Sequence, residues 1–401
     1  MVSGSAWTRS VNSVCSTSCG AAGPLRGKSG DRPMMLAPRK EQPSPGLHGE
    51  LRSRWEGRGV LITGHTGFKG AWLAFWLQRL GARVCGIALA PHTQPSLFDE
   101  LDLGSLIADH RCDIRNLPEL EEITQSFAPE VVFHLAAQPI VLEAYRNPPE
   151  TFHTNVLGSV NVFEAVRRTP SVRVLIHVSS DKCYLPDASG GPYREDHPLG
   201  GADPYSASKA AADIALGSYL RTLFPSDGRV LAASVRAGNV IGGGDWAAHR
   251  ILPDAARALS RGAPVPVRNP GHVRPWQHVL DALCGYLTLA AGLLEKREEL
   301  VGAWNFGPDA RDEHSVQELV EAFIRYWGEG RWERKDIPGT AHESRRLTLD
   351  STRARRELGW RPRWDFSAAV RRTAEWYRRF YAGEPATELC LWDISEYGGI
   401  P

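Results

Sequence analysis

The sequence predicts an α/β protein, a doubly wound parallel sheet with a smaller C-terminal substrate-binding domain, and three observations predict it. Short apolar runs of strand length recur at 60–62, 83–89, 131–136, 174–179 and 230–235. Segments with apolar residues at helical spacing lie between them, notably 72–80, 149–168 and 204–223. A glycine-rich turn joins the first run to the first helix. Runs that are apolar throughout belong to strands buried on both faces, and alternation with helices covers both faces of one parallel sheet.

Residues 1–54 precede that pattern. They are rich in Ser, Gly, Pro and Arg, hold no acidic residue before Asp31 and show no sustained period. They read as a disordered extension, a flexible tail or the product of a start placed before Met34 or Met35, rather than a targeting segment. Cys15 and Cys19 have no nearby second pair with which to make a metal site, and no metal is expected. Residues 55–235 are expected to form the nucleotide-binding domain, and 236–401 a smaller domain interleaved with it.

Order begins at GVLITGHTGFKGAWLAFWLQRLGARV, residues 59–84. Strand, turn, helix and second strand make a βαβ unit of Rossmann type. Gly64, Gly67 and Gly70 permit a tight turn and a close approach of backbone to a pyrophosphate, whose charge meets the amides of the helix N-terminus. One feature is missing. Such folds end the second strand with an acid that holds the adenosine ribose, and here the run is GIALAPHT, with Ala90 in that place. NAD remains the expected cofactor, with its preference over NADP left open.

Ligands gather at the carboxyl ends of parallel strands. The run 174–178 ends in SSDKCY, which puts Ser180, Asp181 and Lys182 at such an end. Downstream, PYSASK places Tyr205 and Lys209 four apart at a helix start, so both side chains leave one face. A lysine ammonium there is expected to lower the phenol pKa, as a positively charged nicotinamide would. With Ser180 bonding the same hydroxyl, Tyr205 can take a proton from an alcohol while hydride leaves its carbon.

Composition narrows the partners. A net charge of +1 argues against nucleic acid and anionic membrane, partners that are usually met by clustered Lys and Arg, and no run of 18 apolar residues exists to span a bilayer. Seven cysteines at irregular positions form no disulfide framework and suit a reducing cytoplasm.

From about residue 57 onward the chain resembles the extended short-chain dehydrogenase/reductases that act on nucleotide sugars, and among them the CDP-glucose 4,6-dehydratase branch. The stretches that carry the resemblance are TGHTGFKGAWL, PSLFDE, FHLAAQ, SSDKCY, GGADPYSASKAA, SVRAGNVIGGGDW, VRPWQHVLD, WNFGP and LGWRPRW. Relatives that act on dTDP-glucose carry Thr-Asp-Glu where this chain has Ser180, Asp181 and Lys182; lysine in third place marks the CDP-glucose branch. The resemblance implies an internal redox cycle on CDP-glucose. Tyr205 takes the C4 hydroxyl proton, hydride passes from C4 to NAD, water leaves across C5 and C6, and the hydride returns to C6. Asp181 would protonate the departing hydroxyl. Lys182 would take the C5 proton if neutral, which requires a pKa lowered from about 10.4, or stabilise the enolate if charged.

The same resemblance assigns NAD contacts to Gly64, Thr66, Gly67, Phe68, Lys69 and Gly70, to Asp113 and Ile114 after the third strand, and to Leu135, Ala136 and Ala137 after the fourth. Tyr205 and Lys209 complete that set. Gln138, Asn239, Arg274, Trp276 and His278 would meet the nucleotide sugar, with Asp245 and Trp246 shaping its pocket. Asn155 would help hold Lys209, and His134, His153 and His177 would be structural. The helices at 152–168 and 205–223 would pair two copies as a homodimer. Three rivals remain: another nucleotide-sugar dehydratase or 4-epimerase, which offers no reason for Asp181 and Lys182 together; a redox-sensing NAD-binding protein, against which Ser180, Tyr205 and Lys209 speak; and a scaffold whose working part is the N-terminal extension.

Overall fold

Seven strands form one wholly parallel sheet in the computed structural model, which describes residues 46–186, 191–224, 228–309, 313–335 and 347–398. They are β1 (Gly59–Thr63), β2 (Arg83–Ala88), β3 (Ala108–Arg111), β4 (Val131–His134), β5 (Val174–Val178), β6 (Leu231–Ala237) and β7 (Gly302–Phe306). Their spatial order is β7-β6-β5-β4-β1-β2-β3. Strand order reverses between β1 and β4, and the crevice opened there at the carboxyl ends is where a doubly wound sheet receives its ligand.

Side chains alternate across the sheet with a period of two. Val60, Ile62, Phe133, Ile176 and Val235 enter a core shared with the helices Phe68–Arg79 and Val279–Leu294. Leu61, Val132, Leu175 and Ala232 enter another, shared with the helices Leu117–Phe127, Gly158–Arg168 and Pro204–Thr222. Residues Pro45–Pro401 cluster as one compact unit. Both β7 and the helix Val279–Leu294 come from beyond residue 235, so the sheet draws on the later half of the chain. Three two-stranded ribbons, built around 240–241, 265–267 and 273–275, and the helices Ile251–Leu259, Val316–Trp327, Phe366–Tyr381 and Ala386–Gly398 build the rest.

The strands read from the sequence recur with boundaries shifted by a few residues. β3 was not legible because Ala108, Asp109, His110 and Arg111 form a largely exposed edge with no apolar run. The expectation of disorder through residue 54 needs correction: Leu47–Trp55 is a helix. Leu47, Leu51 and Trp55 are spaced four apart, and this narrow stripe packs into the core shared by the sheet, beside the helices Val279–Leu294 and Ala386–Gly398, while polar residues between them hide it from a composition reading. Trp55 is fully buried, its ring 5.9 Å from that of Phe133. The remainder of the expected extension, residues 1–45, lies outside the described residues.

Trp55→Ala should therefore destabilise the fold by about 3–5 kcal/mol, the usual range for deleting a buried indole. Chemical denaturation of the variant beside the wild type measures it, and a change below about 1 kcal/mol would mean that this helix is not part of the core.

Candidate active site

The glycine turn lies where β1 meets the helix Phe68–Arg79. Gly64 has φ +80°, and a Cβ there would stand 2.7 Å from the Ala136 nitrogen; one on Gly70 would stand 2.1 Å from the Gly64 carbonyl oxygen. Backbone from β1, the helix start and the end of β4 is thus in contact, and Thr63 stitches it, its carbonyl accepting from Leu135 N and its hydroxyl from Ala136 N. The helix begins at Gly67 with no side-chain cap and no acid in its first turn. Its amides and dipole are left for an anion, and the donor set fits a dinucleotide pyrophosphate.

Beside this turn opens a cavity of about 390 Å³ whose lining includes Phe68, Lys69, Ser180, Asp181, Lys182 and Tyr205. β5 ends at Val178, and Ser180 caps a short 3₁₀ turn over Asp181–Cys183, its Oγ accepting from Lys182 N at 3.2 Å and donating to Asp181 Oδ1 at 3.1 Å. Asp181 is buried, and its Oδ2 has no hydrogen-bond partner among the described residues. Burial raises its pKa against the pull of Lys182, the Ser180 hydroxyl, Arg274 and Lys69, which favours a protonated acid.

Asp203 caps the helix Pro204–Thr222, accepting from Ser206 N at 3.0 Å and Ser206 Oγ at 2.6 Å, with Pro204 in the first turn. This sets Tyr205 on the cavity and Lys209 one turn deeper, where its Nζ donates to the Val178 carbonyl at 2.8 Å and locks the helix onto the end of β5. Burial holds Lys209 down to about 8, and Lys69 likewise to about 8. The expected lowering of the Tyr205 pKa is corrected: burial raises it, outweighing the Ser180 hydrogen bond and the charges of Lys182 and Arg250 that oppose it. Ser180, Asp181, Lys182, Tyr205 and Lys209 are thus brought together as expected.

Asn155 sits in a π-helical turn over His153–Leu157. Its Oδ1 accepts from Gln138 N at 2.7 Å, and its Nδ2 donates to Ser208 Oγ at 2.9 Å, so it steadies the helix at the neighbour of Lys209. Asn239, Arg274 and Trp276 line the cavity, as does Asp245. Three expectations differ, those for Gln138, His278 and Trp246. Gln138 spends its amide internally, on Thr151 Oγ1 and Ile140 N, holding the loop rather than facing the cavity. His278 is wholly buried between Trp72 and Trp364, and Trp246 packs in an aromatic core with Trp376 and Phe380. The Asp113 carboxylate lies in the fork of Arg115, which holds its pKa low, while Ile114 packs beneath Gly158. His134 and His177 are buried and held far below the usual imidazole range, in keeping with structural roles.

Two cavity groups escaped the sequence reading. Tyr145 lies close enough to Lys182 and Asp203 to feel their charges. Arg250 pairs with Asp245 at 2.8 Å and acts on both Tyr205 and Lys69. Arg250 follows GGGDW by a few residues, and that proximity was its one signal.

Residues 61–373 match the family described as GDP-mannose 4,6 dehydratase. The chain is 41% identical over 347 residues to a CDP-glucose 4,6-dehydratase of Salmonella typhimurium, covering 86% of this chain and 97% of that protein. It is 31% identical to a dTDP-glucose 4,6-dehydratase of Streptomyces antibioticus, over 80% of this chain and 92% of the relative. In structure it is similar to the UDP-glucose 4-epimerase of Thermus thermophilus in complex with NAD, with a TM-score of 0.69, 26% identity, and coverage of 80% and 98%.

A buried ammonium destabilises the folded chain while it stays charged. Between pH 8 and about 10.5 the unfolded Lys209 keeps a proton that the folded one has lost, so stability contributed at this residue rises with pH across that window, by up to about 3 kcal/mol. Urea midpoints at pH 7.5 and 10 should show the wild type gaining on Lys209→Met. A gap that does not change would mean that Lys209 stays charged throughout.

Proposed function

The chain belongs to the GDP-mannose 4,6-dehydratase family, and on that premise we propose that it is an NAD-dependent lyase converting CDP-glucose into CDP-4-dehydro-6-deoxyglucose and water. The observation that carries this reading is the buried acid Asp181, with Lys182 beside it, in the same cavity as Tyr205. Oxidation at C4 and its reversal, as in an epimerase, would call for the Tyr205 station alone. The 41% identity to a CDP-glucose 4,6-dehydratase supports the choice of nucleotide.

The Gly64 turn, the first-turn amides of the helix Phe68–Arg79 and the backbone at Leu135–Ala137 would hold the cofactor. NAD held there would supply a positive ring that favours the phenolate and a reversible acceptor for the hydride leaving the sugar C4 and restored at C6. Tyr205, bonded to Ser180, takes the C4 hydroxyl proton, and the resulting ketone makes the C5 proton acidic. Lys182 takes that proton as a neutral amine, or offsets the enolate as an ammonium while another base takes it. Asp181, whose burial favours the protonated form, gives its proton to the C6 hydroxyl, which leaves as water. The proton gained by Tyr205 balances the one given up by Asp181, and C5 is reprotonated at the end. Arg274 and Arg250 suit the diphosphate, to which a guanidinium presents a planar fork.

A homodimer fits the surface. Leu157, Ile214 and Phe152 are exposed apolar side chains on the adjoining helical segments 148–168 and 204–222, the kind of patch a subunit contact covers. Five unpaired, buried cysteines among the described residues support a reducing, cytoplasmic setting. Among those residues no helix is long and apolar enough to cross a membrane.

Offered CDP-glucose, dTDP-glucose, UDP-glucose and GDP-mannose, the protein should form a 4-keto-6-deoxy product from the first with no net reduced nicotinamide; stoichiometric reduction would refute the cycle. Tyr205→Phe should lower turnover by about 10²–10⁴-fold and block oxidation. Asp181→Asn should still oxidise and should accumulate the 4-keto sugar without dehydration, seen by mass analysis of a quenched single turnover. Ile214→Asp should shift sedimentation from dimer toward monomer, and a wild type that sediments as a monomer would refute the pairing.

A further inference from the structure

Arg236, buried near the end of β6, grips two catalytic segments at once. Its Nε donates at 2.9 Å to Oδ2 of Asp213, which stands one helical turn after Lys209. Its Nη1 donates at 2.9 Å to the hydroxyl of Tyr184, two residues after Lys182, and its guanidinium carbon lies 4.8 Å from the centre of that ring. The Tyr184 hydroxyl donates in turn to Asn305 Oδ1 at 2.7 Å, and Asn305 faces Arg236 across the β6–β7 ladder. Donating one bond and accepting another, the hydroxyl is fixed. Asp213 is filled in the same way, its Oδ1 accepting from Ser234 Oγ at 2.6 Å.

A buried ion pair is weak evidence for stability, because apolar residues of similar volume often replace one without loss. What this pair does beyond that is geometric. Asp213 rides on the helix of Tyr205 and Lys209, Tyr184 ends the segment of Asp181 and Lys182, and the guanidinium fork joins them through the core. The segment is tied from its other side by backbone bonds, Gly200 N to the Cys183 carbonyl and Leu185 N to the Pro198 carbonyl, both 2.9 Å, and by the stacking of Tyr184 on Tyr193, ring centres 4.9 Å apart. We propose that Asp213, Arg236 and Tyr184 form a positioning unit that fixes the dehydration station against the oxidation station, so that the 4-keto sugar made at one is dehydrated at the other before it leaves. The inference rests on the dehydratase reading above.

The test is a single turnover of CDP-glucose by the NAD-loaded holoenzyme, quenched and resolved by mass into 4-ketoglucose and 6-deoxy nucleotides. An Asp213→Leu/Arg236→Met double variant leaves no unpaired buried charge, and Tyr184→Phe keeps the ring while removing the hydroxyl. Both should unfold near the wild-type midpoint and form the 4-keto sugar within about threefold of the wild-type rate, yet dehydrate it at least about tenfold more slowly and release it to solution. A merely structural role would lower both steps together. Equal losses, or an unchanged ratio of keto to deoxy sugar, would overturn the proposal. Tyr184→Phe decides it if the double variant does not fold. Wild-type protein that makes 4-keto sugar but no 6-deoxy product would refute the dehydratase reading itself, and the coupling with it.

Discussion

The contact on which the remaining geometry depends is the one between Gly64, Gly70 and Ala136. A methyl group on either glycine would overlap backbone from a neighbouring element, by approaches of 2.7 Å and 2.1 Å. Without those side chains, β1, the helix Phe68–Arg79 and the end of β4 close onto one another at the point where strand order reverses. That closure leaves an uncapped helix N-terminus facing the crevice and sets the floor of the cavity. Lys69, which points into the cavity from the first turn of that helix, is placed by the same approach.

Above that floor, burial governs the chemistry. The cavity holds several cations near the buried acids Asp181 and Asp245, and removal from water penalises every charged form. Lys69 and Lys209 come down to about 8, while Asp181 and Tyr205 go up. The consequence is that the two amines and the carboxyl lie closer to exchanging a proton near neutrality, amines less firmly charged and a carboxyl more readily protonated, whereas the phenol is taken further from it. A cavity with the same residues open to water would lose that convergence. The cost is borne by surrounding structure, in which Lys209 is satisfied by the Val178 carbonyl and Asp213 by Arg236 and Ser234.

The two catalytic tasks proposed need two segments of chain, and the candidates leave adjacent parts of one sheet. Ser180, Asp181 and Lys182 follow β5; Tyr205 and Lys209 start the helix that leads to β6. Parallel strands deliver both to the same edge, and the Arg236 fork, reaching from β6 to both segments, ties one to the other. Redox and dehydration on a single bound sugar require that kind of mutual fixing, because misplacement of about 1 Å can cost about a hundredfold in rate.

The sequence by itself determined the alternation of buried strands and helices, the glycine turn, and the two segments that meet at the cavity, because each is a local pattern. Apolar runs, residue spacing on one helix turn and a turn between strand and helix all carry their own signature. It did not determine β3, whose edge residues carry no apolar run, or the Leu47–Trp55 helix, whose three anchoring side chains mean little until a sheet is there to receive them. It also misplaced Gln138, His278 and Trp246, since a polar or aromatic residue near a motif can turn to the cavity or to the core, and only packing chooses. The direction of the Tyr205 shift was likewise decided by tertiary structure: spacing put a lysine four residues away, but how deeply the phenol is taken from water depends on elements far apart in the chain.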